Sequence, residues 1–378
     1  MKGDIQQALK DVIPRVIEIR RRIHEQPELG FQEELTSSLC ATVLSDLGLE
    51  VRTGLAKTGL VGLLRGSMPG KTVALRSELD ALPLHEQSGL EFASKFPGRM
   101  HACGHDAHMA CLLGAAMVLS RMRGSLKGNV KFIFQPAEEG PGGAQPMIEE
   151  GVLSNPDVDA IFALHVWPDL ELGHIGIHKG AVMAALDEIA ITLRGYGGHG
   201  ATPHKSVDAI VAASQLVMEL QTIVSREVDP LEPVVLSIGS FQGGSSYNTI
   251  ADRVDLRGTV RTVNPLLRSK IRDKIEQKLK GLAQSTGMTY DFHYRLGYPP
   301  LVNNKEMAAF VGEVATDIVG EEKVDILERP SMVGEDFAYY LERVPGAMFL
   351  LGIGDRQGEA GLGGGQEGGV FPLHHPQF

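Results

Sequence analysis

The chain has 378 residues, 43% hydrophobic and 22% charged, a composition that excludes a disordered tail, a fibre or a small stapled scaffold and fits about two globular domains. Its 36 basic and 47 acidic residues leave a net charge of −11, which argues against nucleic acid or any polyphosphate as partner, because those need a basic footprint. Three cysteines, Cys40, Cys103 and Cys111, cannot build a disulfide framework, and the odd count points to a reducing compartment, the cytoplasm.

Residues 1–30 alternate charge with Ile5, Leu9, Val12, Val16 and Ile23. They lack the unbroken apolar stretch of a signal peptide or membrane anchor and predict an amphipathic helix. A second helix is expected over 36–47. Short apolar runs at 59–64, 72–76, 130–134 and 161–166 read as strands, and a helix over 107–122, with Asp106 as its N-cap, alternates with them. That alternation predicts an α/β fold: a mostly parallel central sheet flanked by helices, with ligands at the carboxyl ends of its strands. From 184 to 296 the pattern changes to strands 188–193, 234–239, 254–260 and 289–294 with helices 206–224 and 266–282, an α+β unit with both helices on one face of an antiparallel sheet. Helices 305–319 and 335–341 and strand 347–351 then return to the α/β pattern. Two domains follow, a discontinuous one of 1–183 and 297–378 and an inserted one of 184–296. The glycines of 358–369 read as a surface loop.

Coordinating side chains are densest at His101-Ala-Cys103-Gly-His105-Asp106-Ala-His108. Cysteine and histidine two apart in a loop can face one ion. Loop histidines are also commonly solvated and cysteines commonly buried as small apolar groups; His101 and His108 are read that way. Glu138-Glu139 follows an apolar strand directly, so one carboxylate can hold a cation while the other acts as general base, although a solvated turn is the ordinary fate of such a pair. His165 ends a third strand, and His374-His375 lies near the chain's end. Asp80, just past strand 72–76, is well placed to hold a ligand histidine in one tautomer, although a surface turn acid is the more ordinary reading of such a residue. Gly195-Tyr-Gly197-Gly-His199-Gly200 matches G-x-G-x-x-G, but no second parallel strand follows with an acid at its end, and Glu219 falls inside a helix; a dinucleotide site is not expected. No G-x-S-x-G, P-loop or H-E-x-x-H occurs, so serine-hydrolase, nucleotide-phosphate and zincin chemistry lack their signatures.

With Cys103-Gly-His105-Asp106, Glu138-Glu139, His165, Gly198-His199-Gly200-Ala201 and Leu373-His374 in this order, the chain resembles the dinuclear-metal aminoacylase and carboxypeptidase family, in the branch of hippurate hydrolases and plant auxin-conjugate hydrolases. The resemblance runs from Arg22-Ile-His24-Glu-Gln-Pro27-Glu28 to Phe378. It implies that Cys103, His105, Glu139, His165 and His374 bind two divalent ions (manganese, zinc, cobalt or nickel), that Glu138 is the general acid/base, and that Asp80 orients a ligand. It also implies that 184–296 is a lid through which a homodimer, or a dimer-based tetramer, forms, with His199 stabilising the oxyanion in the partner's site and Asn248 and Arg261 gripping a substrate carboxylate. His374 is chosen over His375 because it directly follows Leu373. Glu78 stands where relatives often carry Asp. The sequence ends four residues past His374, where relatives usually continue into another helix, so either the chain is trimmed there or this ligand is loosely held. The implied activity is hydrolysis of N-acyl amino acids, N-acetyl or N-benzoyl, to a carboxylic acid and a free amino acid. A dipeptidase or aminopeptidase using Glu335 or Asp336 to bind an amine is the rival enzyme, and a non-catalytic metal-binding homologue the rival of another class.

Overall fold

The computed structural model describes residues 2–354 and 371–378. The glycine-rich stretch 358–369, expected as a surface loop, lies outside the described residues. The chain divides into two compact units: Met1–Gly180, Asn303–Glu328 and Tyr339–Phe378 make the first, Ala181–Val302 and Arg329–Ala338 the second.

The first unit is built on an eight-stranded sheet. In spatial order its strands are Glu50–Leu55, Gly59–Arg65, Lys127–Gln135, Met68–Glu78, Ala160–Glu171, Gly346–Gly354, Ile175–His178 and Val324–Leu327. The middle four run parallel, with antiparallel pairings only outside them, so the expected mostly parallel sheet is observed. Helix Lys2–Glu25 turns Ala8, Val12, Ile19 and Ile23 inward. It shares a core with Cys40, Val43 and Leu44 of helix Glu34–Asp46, Met109, Leu113 and Ala116 of helix His105–Arg121, and Leu60, Leu64, Phe132 and Phe134 of the sheet. Each large apolar side chain buried this way contributes about 1.5–3 kcal/mol. Helix Lys305–Val319 packs Ala308, Val311 and Ala315 with Ile177 and Ala347. Among the described residues no helix is long and apolar enough to cross a membrane.

Two expected elements differ. The helix expected over 107–122 starts at His105, and the residue before it is Gly104 in the left-handed region, at φ 85°. Asp106 is therefore not the N-cap. It lies in the first turn, fully buried, 2.8 Å from His24 Nδ1 and 2.7 Å from Arg20 Nε, where a carboxylate still favours the positive end of the helix. Gly104 is required twice, by its φ and because a Cβ there would lie 2.4 Å from Val166 Cγ2. Of 335–341, only Ala338–Leu341 is helical: the Glu335 carboxylate accepts the Phe337 N–H at 2.8 Å, a local bond that competes with helix formation.

The second unit is the expected α+β fold. Strands Val234–Gly243, Arg253–Thr262, Ala185–Arg194 and Thr289–Leu296 form an antiparallel sheet in that order. Ile189, Ile191 and Leu193 on the central strand meet Leu216 and Leu220 of helix Ala209–Thr222 and Ile271, Ile275 and Leu279 of helix Pro265–Thr286. Both helices start at side-chain caps: Asp208 accepts from the N–H groups of Ile210 and Val211, Asn264 from those of Leu266 and Leu267. Gly198–His199 opens no helix; it is a two-residue strand pairing with Thr249–Ile250.

Candidate metal centre

The parallel register sets Glu78 opposite Gln135 and Arg76 opposite Ala163. Two neighbouring strands therefore finish at one edge of the sheet, where α/β sheets bind ligands. Asp80 and the pair Glu138-Glu139 leave from those ends, His165 stands level with them within strand Ala160–Glu171, which runs on beyond it, and the loop before helix His105–Arg121 brings Cys103 and His105. His374 comes from the C-terminal segment, and it is not loosely held: its main-chain N–H donates to Ala102 O and that of Gln87 to Pro376 O, both at 2.7 Å, while Phe371 stacks on His375 with ring centroids 4.5 Å apart. Order comes from this strapping to the first unit.

Three overlapping sets have ligand atoms within 4.8 Å of one another: Cys103, His105 and His165; Cys103, Glu139 and His374; and His105, Glu138 and Glu139. Cys103 Sγ lies 3.5 Å from His165 Nε2, His374 Nε2 3.1 Å from Glu139 Oε1, and His105 Nε2 3.9 Å from Glu138 Oε2. Both buried histidines are prepared for an ion. His105 Nδ1 donates to the Asp80 carbonyl at 2.8 Å and His165 Nδ1 to the Val166 carbonyl at 2.7 Å, which leaves the Nε2 lone pairs inward. His105 Nε2 and Asp80 Oδ1 are buried without a hydrogen-bond partner. Such atoms cost free energy unless a cation or water satisfies them, and thiolate, imidazole and carboxylate together suit a first-row divalent ion.

The electrostatics agree. Burial alone would lower the pKa of His105, but Asp80, Glu78 and Glu139 outweigh it and hold the ring at about 10; the pocket calls for positive charge. Burial, with His108 beside it, takes His165 down to about 3, so its ring is neutral. Burial and the neighbouring Glu139 and Glu138 push the Cys103 thiol well up, so thiolate forms there only with a compensating cation.

Asp80 ties the parts together, because its Oδ2 accepts the Glu139 main-chain N–H at 3.0 Å while its carbonyl holds His105. Glu33, which the sequence reading passed over, supports the turn that carries the two glutamates. Its carboxylate, fully buried, accepts the Ala137 N–H at 2.9 Å and the Thr58 hydroxyl at 2.5 Å, and so fixes the turn before Glu138. The only sequence signal was an acid before a helix, which reads as an ordinary cap. His101, read as solvated, is instead buried with neither ring nitrogen hydrogen-bonded. Glu78 and His108, grouped with His105 by proximity, are committed elsewhere: Glu78 to Arg76 and His108, His108 also to Val166 N–H.

The remaining expected site residues belong to the second unit. His199 Nδ1 accepts the Ala201 N–H at 3.0 Å. A main-chain N–H only donates, so the imidazole proton is on Nε2. Asn248 sits beside it: its carbonyl accepts the Gly200 N–H at 2.7 Å and Thr249 pairs with His199. Arg261 is elsewhere, half-buried near the end of strand Arg253–Thr262, with its guanidinium on Thr259 Oγ1 and Met332 O. Eight residues of strand, roughly 27 Å, separate it from the end that joins the Asn248 loop.

A parallel-sheet unit with a cluster of thiol, imidazole and carboxylate ligands at its strand ends defines a metallohydrolase. The chain belongs to Peptidase family M20/M25/M40, whose profile matches residues 74–361, and it is a hydrolase. It is 44% identical to an N-acyl-L-amino acid amidohydrolase of Geobacillus stearothermophilus, over 81% of this chain and 82% of that protein. It is 40% identical to an N-acetyl-L-cysteine deacetylase of Bacillus subtilis, over 96% and 83%. A dinuclear metal binding peptidase of the M20 family from Bacillus subtilis superposes with a TM-score of 0.82 at 35% identity, covering 98% of this chain and 92% of that one.

Proposed function

We propose that the protein hydrolyses the amide bond of N-acyl amino acids, N-acetyl or N-benzoyl among them, releasing a carboxylic acid and a free amino acid. The observation that carries this reading is the convergence of Cys103, His105, Glu139, His165 and His374 in overlapping clusters beside Glu138; the deacylase relatives support the substrate class. Cys103, His105, Glu139, His165 and His374 would hold two divalent ions, of manganese, zinc, cobalt or nickel. Bound, such ions lower the pKa of water from 15.7 to about 7.

Glu138 accepts the proton of the attacking water as its oxygen bonds to the amide carbon. It then delivers that proton to the leaving nitrogen as the C–N bond breaks, without which the amine leaves poorly. His199, with its proton on Nε2, donates to the carbonyl oxygen as negative charge develops there. In this reading 184–296 is the lid of a cytoplasmic homodimer, and His199 serves the partner's site. Asn248 and Arg261 grip the substrate carboxylate; Arg261 stands near one end of strand Arg253–Thr262 and the Asn248 loop joins the other, and they reach one substrate from different subunits. Hydrolysis of N-acetyl and N-benzoyl amino acids after loading with Mn2+, Zn2+, Co2+ or Ni2+ tests the reading. Turnover restricted to dipeptides with a free amine would overturn it.

A further inference from the structure

Two buried charged or polar side chains behind the centre, Glu78 and His108, have no part in the chemistry above. Both are almost wholly buried. Glu78 pairs with Arg76 on one side and with His108 Nδ1, at 2.9 Å, on the other. His108 Nε2 accepts the Val166 N–H at 2.9 Å. Because that N–H can only donate, Nε2 must carry the lone pair, and the proton must be on Nδ1, directed at Glu78. Val166 in turn gives its carbonyl to His165 Nδ1. The same residue packs its side chain over Gly104, between Cys103 and His105. The His108 and His165 rings lie 4.6 Å apart at 64°.

We infer that Glu78 and His108 are positioning residues that fix the tautomer and aim of His165 through the main chain of Val166. Glu78 selects the His108 tautomer, His108 pins the Val166 N–H, and the pinned residue presents the carbonyl that holds the proton of His165 on Nδ1 and turns Nε2 toward Cys103. Without His108, the Val166 N–H is buried without its acceptor, and Val166 keeps only its strand pairing with Leu351. His105 needs no such device, because its carbonyl acceptor comes directly from Asp80. The inference rests on the proposal that His165 and Cys103 are ligands of one ion.

The first test uses the full-length wild-type protein with 15N-labelled histidine. Imidazole nitrogen resonances should show His108 as the neutral Nδ1–H form; an Nε2–H form overturns the relay whatever the metal does. The second compares two variants. In His108→Gln a side-chain carbonyl replaces Nε2 and still accepts from Val166, whereas His108→Asn reaches only the Glu78 side. Co2+ affinity, read by chelator competition, should fall about 10–100-fold in His108→Asn and stay close to wild type in His108→Gln. Equal losses in both mark a packing role and overturn the inference. The tautomer measurement needs no variant, so misfolding does not shield the relay. Cys103→Ser separates the two levels: if it binds Co2+ like wild type, the ligand assignment fails, and the relay stands or falls on the tautomer alone.

Discussion

Asp80 Oδ2 accepts the main-chain N–H of Glu139 at 3.0 Å. One carboxylate thus fixes the turn that carries both glutamates, while the same residue's carbonyl orients His105. Asp80→Ala removes the acceptor and frees the Glu139 turn without touching any proposed ligand atom. Metal affinity should fall about 10–100-fold, measured by chelator competition and metal analysis. Unchanged affinity would show that the turn is held by Glu33 alone.

Glu138 and Glu139 are adjacent, with Glu138 Oε2 3.9 Å from His105 Nε2 and Glu139 Oε1 3.1 Å from His374 Nε2. Glu138→Gln keeps size and polarity and removes the base. Turnover should drop on the order of 10²–10⁴-fold with the metal content unchanged. Loss of metal in this variant means that the roles of the two glutamates are exchanged.

Metal uptake should depend steeply on pH, with a definite sign. Without an ion His105 is held at about 10 and the Cys103 thiol is pushed well up, so at neutral pH both keep protons that ligation must displace. Affinity therefore rises with pH, by up to about tenfold per unit for each proton released. Titration calorimetry of Mn2+ or Zn2+ binding in buffers of different ionisation enthalpy counts those protons. A count of zero would contradict the assignment of Cys103 and His105.

The proposed action of His199 across a dimer can be tested by complementation. Glu138→Gln and His199→Ala should each be nearly inactive. Refolded together in equal amounts, about half the dimers are mixed, and each mixed dimer has one intact site of two, so activity should recover to roughly a quarter of wild type. If a mixture shown to contain hybrids stays inactive, His199 serves its own subunit or takes no part.

Much of the centre was legible in the sequence because ligand chemistry is local. A thiol and an imidazole two apart, two carboxylates after an apolar run, and histidines after two others mark the residues by type. The alternation of strands and helices marks where the ends gather. Boundaries were less legible: Asp106 reads as an N-cap from its place before an apolar stretch, yet the left-handed Gly104 starts the helix and Asp106 is drawn to His24 and Arg20, more than 80 residues away in the chain.

The sequence by itself determined which side-chain types gather at the centre and the family to which the chain belongs. Which nitrogen atoms are free was decided only by the tertiary structure. His105 and His108 lie on one helix three residues apart, and nothing local separates them. In the fold, His108 Nε2 meets an N–H from residue 166, which occupies its lone pair, while the carbonyl of Asp80 takes the Nδ1 proton of His105 and leaves its Nε2 unpartnered among the other ligands. A hydrogen bond to a donor consumes a lone pair and one to an acceptor spares it, so the difference between an open ring nitrogen and a committed one is made by main-chain groups brought in from distant strands.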